Sequence, residues 1–499
     1  MQLDDAPIIV GQGEVTQRPD TERPREPLAL MADAARLAAR DAGNEDLLQS
    51  IDSLRVINVL SWPSKAPAQD LARALAVAPR ELIYTAVGGN TPQWQVNEVA
   101  QGIVDGEIKL ALITGAEAMY SARRARTKGI DLGWSHRGTP ETNAGSMRAG
   151  TSDAEAKHAA SIPTSVYPLF ENALRAHYGR TIEEHQHAIG AMMAKFSEVA
   201  SQNEHAWFKQ ARSGGEIATP GPDNRYIGFP YPKYMNAIMD VDQGGDLLMT
   251  SVAEARRLGI AEDRWIYLWG CGDAADHWFI TERVNYHSSP AMKANMASAM
   301  LMAGVTLDDI ACFDLYSCFP SAVQIARDSL ELAADDTRPL TVTGGLPYFG
   351  GPGNNYVTHS IAAMVRKLRD ERGKVGLVTA NGWYVTKHAT GIYSSEPPRN
   401  GWNRTDANAD QAKIDAEPHP EVIEAPAGNA TVETYTVLFD RDGAPTKGII
   451  IGRTADGARF IANAPEERRT LESMTKHEMV GAPGRVGQAE DGRNVFVPA

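Results

Sequence analysis

Two stretches of this chain repeat one pattern: a glycine pair, then a helix, then a buried apolar strand. The first copy runs from Gly88 and Gly89 through a helical stretch at residues 92–104 into KLALITGAEAM, residues 109–119. The second runs from Gly350 and Gly351 through another helical stretch into KVGLVTANGWYV, residues 374–385. The glycine pairs and the strands after them fall at nearly the same separation, which marks a duplication at the scale of half a core. A chain built this way is expected to fold as two related α/β halves, each a largely parallel sheet covered by helices.

The remaining segments fit around that frame. In the first half, residues 7–15, 51–60 and 82–87 read as strands, and residues 28–42 and 70–77 as amphipathic helices. In the second half, strands are predicted at 246–251, 265–270, 310–315 and 340–342, with helices at 291–303 and 321–332. Residues 120–244 interrupt the alternation with long helical patterns and one basic stretch, RRARTKG, at 123–129. The division is therefore a core half at 1–119 carrying an insertion at 120–244, and a second half at 245–395. Residues 396–424 are rich in Pro, Asn, Asp and Ala, lack periodicity, and read as a linker. Residues 425–499 contain short strands around one helical stretch and predict a small β-barrel of OB type.

A chain of 499 residues exceeds a single core, and 43% hydrophobic with 22% charged residues is an ordinary globular balance. No apolar run is long enough to span a membrane. The N-terminal MQLDDAPIIVGQGE has acids where a signal peptide needs lysine or arginine. Cys271, Cys312 and Cys318 form neither a disulfide framework nor a zinc-site spacing, so no metal and a reduced cytoplasmic setting are expected. A net charge of −14 opposes binding to nucleic acid or anionic membrane.

The order of strand, glycine turn, helix and strand resembles the thiolase superfamily, in particular its sterol-carrier-protein type. Ala100, Ile103 and Gly106 match the small, apolar and glycine positions that close the helix. The resemblance implies a duplicated αβαβα core with a helical loop-domain insertion, and it covers residues 5–395. The barrel is similar to small OB-fold proteins that accompany or are fused to thiolase-like enzymes. Such thiolases use a cysteine to take the acyl group, a histidine to activate it, a second cysteine to move the proton, and an oxyanion pocket.

By that resemblance the nucleophile falls at Gly89, followed by Asn90 and Thr91. Glycine has nothing to acylate, and an unassisted threonine hydroxyl is a weak nucleophile. The amides of the following helix remain as a place for a carbonyl oxygen, although the glycine pair is equally what close strand–helix packing needs. The histidine falls at Gly351; His359, farther along, reads as a packing residue, and Tyr356 lies nearby. The second cysteine falls at Asn381 and Gly382, where Asn381, Tyr384 and His388 either line a pocket or cap a strand end. The water-holding Asn or His becomes Tyr316, and Cys318 reads as a buried structural thiol. Arg123 and Arg124 are placed to meet CoA phosphates, or simply form a solvated basic loop.

Three chemical side chains are missing together. The expectation is a protein that binds CoA or acyl-CoA through a thiolase-like pocket, without thiolase activity and without another cofactor. The alternative is retro-aldol cleavage of a β-hydroxyacyl-CoA, with Tyr316 as the catalytic group. Nucleic-acid binding by the barrel is disfavoured, because residues 417–499 hold 13 acidic against 9 basic residues. Thiolases usually pair through the strand corresponding to residues 82–87, so the resemblance implies either a homodimer or, if the C-terminal unit covers that strand, a monomer.

Overall fold

The computed structural model describes residues 3–499, so the first two residues of the N-terminal reading and of the 1–119 half lie outside it. The core strands are β1 (Pro7–Thr16), β2 (Ser53–Val56), β3 (Glu81–Tyr84), β4 (Leu110–Ala118), β5 (Asp242–Ser251), β6 (Ile266–Ala275), β7 (Ile310–Asp314), β8 (Val375–Gly382) and β9 (Lys387–Ser394). They form one nine-stranded sheet in the order β3-β2-β4-β5-β1-β6-β9-β8-β7. The order is a mirror about the β1–β6 contact: β6 stands for β1, β9 for β5, β8 for β4 and β7 for β2. Pairing directions match as well. The β2–β4 and β7–β8 pairs are parallel, while β5 and β9 run antiparallel to both their neighbours.

The duplication reaches to single residues. On β1, a Cβ at Gly11 or Gly13 would lie 2.2 or 2.0 Å from the carbonyls of Ala38 and Ala34 in the helix Pro27–Asp41. On β6, Gly270 and Gly272 meet Ala299 and Asn295 of the helix Pro290–Ala303 in the same way, at 2.2 and 2.1 Å. Glycine is needed there because the helix backbone touches the strand backbone. Between the halves lie the two helices of the repeat, Thr91–Val104 and Tyr356–Asp370, both with most residues buried.

Some predicted elements differ. Residues 340–342 are not a strand, although the Phe313 and Leu315 amides still bond the Pro339 and Leu340 carbonyls at 3.3 and 2.9 Å. The Asp314 carboxylate takes the amides of Val342 and Thr343 and the hydroxyl of Thr341, turning the chain away from a ladder. The strand β9 follows so tight a hairpin that its sequence merges with that of β8. Residues 396–424 are docked rather than free: the helix Ala407–Asp415 lies among them, and Gln411 bonds both the amide and the carbonyl of Ala275. Trp402 and Arg404 add bonds to Gln101, Glu98 and Asp273.

The C-terminal strands are β10 (Gly428–Phe439), β11 (Pro445–Thr454), β12 (Arg459–Asn463), β13 (Pro483–Gln488) and β14 (Asn494–Pro498). They close a five-stranded barrel in the order β10-β11-β12-β14-β13 and back to β10. Tyr435, Ile450, Phe460, Leu471 and Phe496 fill it, whereas Ile449, Ile451 and Ile461 pack into the main core. Fully buried Arg459 pairs with Glu433 and donates to the carbonyls of Thr281 and Arg283, locking the barrel onto the second half. Arg175 does the same from the insertion, donating to Glu478 at 2.7 and 3.0 Å.

Candidate functional site: the first glycine turn

After β3 the chain crosses Gly88, Gly89 and Asn90 and enters the helix Thr91–Val104. The Thr91 hydroxyl and amide both donate to the Gly88 carbonyl, at 2.7 and 3.0 Å. Pro92 has no N–H, and the Trp94 amide goes to Asn90 O at 3.0 Å. The helix end thus offers fewer open amides than its sequence suggests, and Thr91 serves as a turn brace.

Gly89 lies against Tyr316. A Cβ at Gly89 would sit 2.2 Å from the Tyr316 hydroxyl oxygen and 2.6 Å from the Asn381 carbonyl. The phenol therefore fills the space that any side chain at position 89 would enter. Tyr316 follows β7, donates its amide to Thr379 Oγ1 at 2.9 Å, and meets Tyr356 edge to face at 5.7 Å. Burial pushes its phenol well above the ordinary tyrosine range, and the neighbouring Cys318 adds to the shift. Cys318 is buried, with its thiol pushed up to about 12 by desolvation, an environment that disfavours the thiolate.

Asn381 closes the other side. Its amide nitrogen donates to the Tyr167 hydroxyl at 2.9 Å, and that hydroxyl donates to Trp383 O at 2.9 Å. Tyr167 comes from the insertion and stacks on Phe319 at 4.4 Å, a contact that no local pattern announces. The space between Tyr316, Asn381 and His388 is too narrow for water. His388 faces Asp276 at 3.3 Å beneath it, and the Tyr384 hydroxyl donates away to Ser161 O at 2.7 Å. Gly382 begins the β8–β9 hairpin, which brings Lys387 over the turn: its Nζ donates to Val87 O at 2.7 Å. Sequence reasoning missed Lys387 altogether.

The second glycine pair is joined to the first through Asn354, whose side chain accepts the Gly88 amide at 2.8 Å. A side chain at Gly351 would meet Leu346 and Ile238 O at 3.3 and 3.4 Å, without severe overlap. Tyr356 is fully buried and turns its hydroxyl to Thr343 and Asp314, at 2.6 and 3.2 Å. His359 is also fully buried and bonds Glu14 at 2.7 Å, as a packing histidine would.

Arg123 and Arg124 lie on the helix Met119–Lys128, away from the glycine turn. Arg123 lines a cleft of about 530 Å³ together with Trp62, Trp134, Arg126 and Arg137, and it pairs with Asp240 at 2.7 Å. Arg124 is exposed and donates to Pro19 O at 2.8 Å. Behind the cleft wall, buried Glu117 accepts the amides of its lining residues Leu60 and Ser61 at 2.7 and 2.8 Å, with burial raising its carboxyl to about 7.

A duplicated α/β core with a helical insertion and two facing glycine turns is the thiolase fold. The chain is 34% identical, over 100% of both chains and with a TM-score of 0.86, to a monomeric SCP2-thiolase-like protein type 1 from Mycobacterium smegmatis. Residues 410–491 match the family described as the thiolase-like protein type 1 additional C-terminal domain. The chain belongs to the SCP2-thiolase-like proteins of type 1. More distant structures share the fold alone. One is the Ltp2-ChsH2(DUF35) aldolase, at 19% identity and TM-score 0.62 over 80% of this chain and 100% of that one. Another is human mitochondrial 3-ketoacyl-CoA thiolase in complex with CoA, at 15% identity and TM-score 0.57 over 79% and 98%. No curated protein matches the sequence.

Proposed function

We propose that this protein binds CoA or an acyl-CoA thioester and forms no acyl-enzyme. The observation that carries this reading is the Tyr316 hydroxyl standing where a side chain on Gly89 would begin. Removing a covalent nucleophile lowers the rate by a factor of about 10⁴ or more, and here the vacated position is also occupied. Ligand binding draws support from the human thiolase of the same fold, solved with CoA. The tryptophan- and arginine-lined cleft suits the nucleotide and phosphate end of CoA, with Arg126 and Arg137 as the cations beside Arg123. Calorimetry with CoA and acetoacetyl-CoA, beside a thiolysis assay, tests the reading. Binding without cleavage is expected; turnover at an ordinary enzymatic rate overturns it.

Retro-aldol cleavage has one supporting observation, the placement of Tyr316 at the turn. It requires that phenol to act as a base, and burial works in the opposite direction. A Tyr316→Phe variant that cleaves a β-hydroxyacyl-CoA as well as the parent removes this alternative. The closed five-stranded barrel with one helix between β12 and β13 supports the OB-type reading. Its buried Arg459 and neighbouring Arg453 are both committed to Glu433, which works against a nucleic-acid role.

We also read the protein as a monomer. The outward-facing groups of the β3 edge are already bonded by the insertion, not by the C-terminal unit. Asn143 bonds Tyr84 N, Tyr84 O and Leu82 O at 2.8, 3.1 and 2.9 Å, and Ala144 O takes the Ala86 amide at 2.7 Å. An edge so covered has little left with which to pair. Among the described residues no helix is long and apolar enough to cross a membrane. Three free, buried cysteines support placement in the cytoplasm.

A further inference from the structure

We propose that Lys387 is a reactive amine that condenses with the carbonyl of a ketone or aldehyde ligand at the first glycine turn. Lys387 reaches back from the start of β9, and its Nζ bonds Val87 O at 2.7 Å. Gly88 makes room for it: a Cβ there would lie 2.7 Å from Nζ. Gly382 also leaves room, since its Cβ would lie 3.1 Å from Cε. Among the described residues no carboxylate forms an ion pair with this half-buried lysine, and its Nζ lies 5.9 Å from the centre of the Trp383 ring. Burial alone lowers its basicity, to about 8. Much of the amine is therefore neutral at mildly alkaline pH, with a lone pair available while one N–H stays on Val87 O.

A second group marks the same spot. Asn90 is 8% exposed, and its Oδ1 has no hydrogen-bond partner. That oxygen would lie 2.5 and 2.4 Å from Cβ atoms at Gly88 and Gly382, so it and the lysine share the space that the two glycines leave. Val87, Trp383 and Lys387 are partly exposed while Gly88, Gly89 and Asn90 are buried, which sets the amine between solvent and the turn. The hairpin that carries it is held in an unfavourable conformation, with Trp383 at φ 56° and β-branched Val385 at φ 54°. Buried Arg283 enforces it by donating to Tyr384 O at 2.9 Å, to Thr386 Oγ1 at 2.8 Å and to Val385 O. Tyr167 takes the Val385 amide at 3.3 Å.

The step balances without a co-reactant. The amine nitrogen bonds the carbonyl carbon, and the carbonyl oxygen takes a proton from that nitrogen to give a carbinolamine. Asn90 Oδ1 is placed to accept its hydroxyl proton. Loss of the hydroxyl with the remaining N–H hydrogen as water leaves the imine. This deepens the proposed function by naming a 3-oxoacyl thioester as the ligand class, and it rests on that reading for the CoA portion alone.

The full chain is incubated with acetoacetyl-CoA, and separately with propanal, then reduced with borohydride and mapped by peptide mass spectrometry. Lys387 is expected to label before exposed lysines, by a factor on the order of tens to a hundred at pH 8, from its larger neutral fraction. Lys387→Met and Lys387→Arg should lose that adduct while keeping the circular dichroism of the parent. Acetoacetyl-CoA that binds by calorimetry yet leaves Lys387 no more labelled than surface lysines overturns the inference and spares the binding reading. Selective propanal labelling without CoA binding supports the inference and removes the binding reading.

Discussion

Placing a cysteine at Gly89 should not create a thiolase. The new Cβ would lie 2.2 Å from the Tyr316 oxygen, 2.9 Å from its Cζ and 2.6 Å from the Asn381 carbonyl. One obstacle is backbone, and the other is a ring held against Tyr356 by edge-to-face packing at 5.7 Å. Neither yields without moving neighbours, so Gly89→Cys falls in the range for overpacking, about 1–3 kcal/mol. Tyr316→Asn alone truncates a buried aromatic and costs about 3–5 kcal/mol. In the double variant the obstructing ring is gone, so its cost should fall below the sum of the singles by about 1–3 kcal/mol. Urea denaturation of the four proteins measures this coupling. Strict additivity, or a Gly89→Cys protein as stable as the parent, refutes the claim that the phenol fills the nucleophile's place.

Three further outcomes are expected. Glu117 has a folded-state value of about 7, above its ordinary 4.5, so the folded state holds the extra proton. Its contribution is fully present below 4.5, is lost as pH rises through about 7, and amounts to roughly 3 kcal/mol; Glu117→Gln should flatten the fall in stability between pH 5 and 8, and an unchanged slope speaks against the assignment. Arg459→Met leaves Glu433 with Arg453 as its remaining cation and should cost about 3–5 kcal/mol, with faster proteolysis between residues 416 and 427; undiminished protection there contradicts the docking role. Asn143→Ala removes the two side-chain bonds to the β3 edge, leaving the backbone bond to Tyr84 O, and should cost about 1 kcal/mol and bring concentration-dependent association in sedimentation. A variant that stays monomeric at all concentrations shows that the edge is guarded by something else.

The duplicated core was legible because its signal lies in short, strong features: glycine pairs, an apolar strand after each, and helical spacing between. Gly11-Gln12-Gly13 and Gly270-Cys271-Gly272 repeat the same close approach of helix to strand and were legible in principle, although a G-x-G pattern has many other causes. The absence of a thiol or imidazole at Gly89, Gly351 and Asn381 was also readable, since each is a matter of which residue stands at a motif. What the sequence could not show was that one loss fills another. Gly89 and Tyr316 are far apart in the chain, and only the meeting of the turn with the end of β7 brings the hydroxyl onto the glycine. Lys387 was hidden for a related reason: a charged residue opening a strand reads as solvent-facing until the hairpin places it over two glycines. The cover on β3 comes from residues 143–144, which have no periodicity to betray a pairing partner.

A glycine turn filled by the Tyr316 phenol has no place for an acyl group. The direct measurement is the mass of the intact protein after incubation with acetyl-CoA and an acid quench, before and after hydroxylamine treatment, with peptide mapping of residues 88–91 and of Cys318. Neither site is expected to gain a hydroxylamine-labile acetyl group. Such a group on either peptide contradicts that expectation.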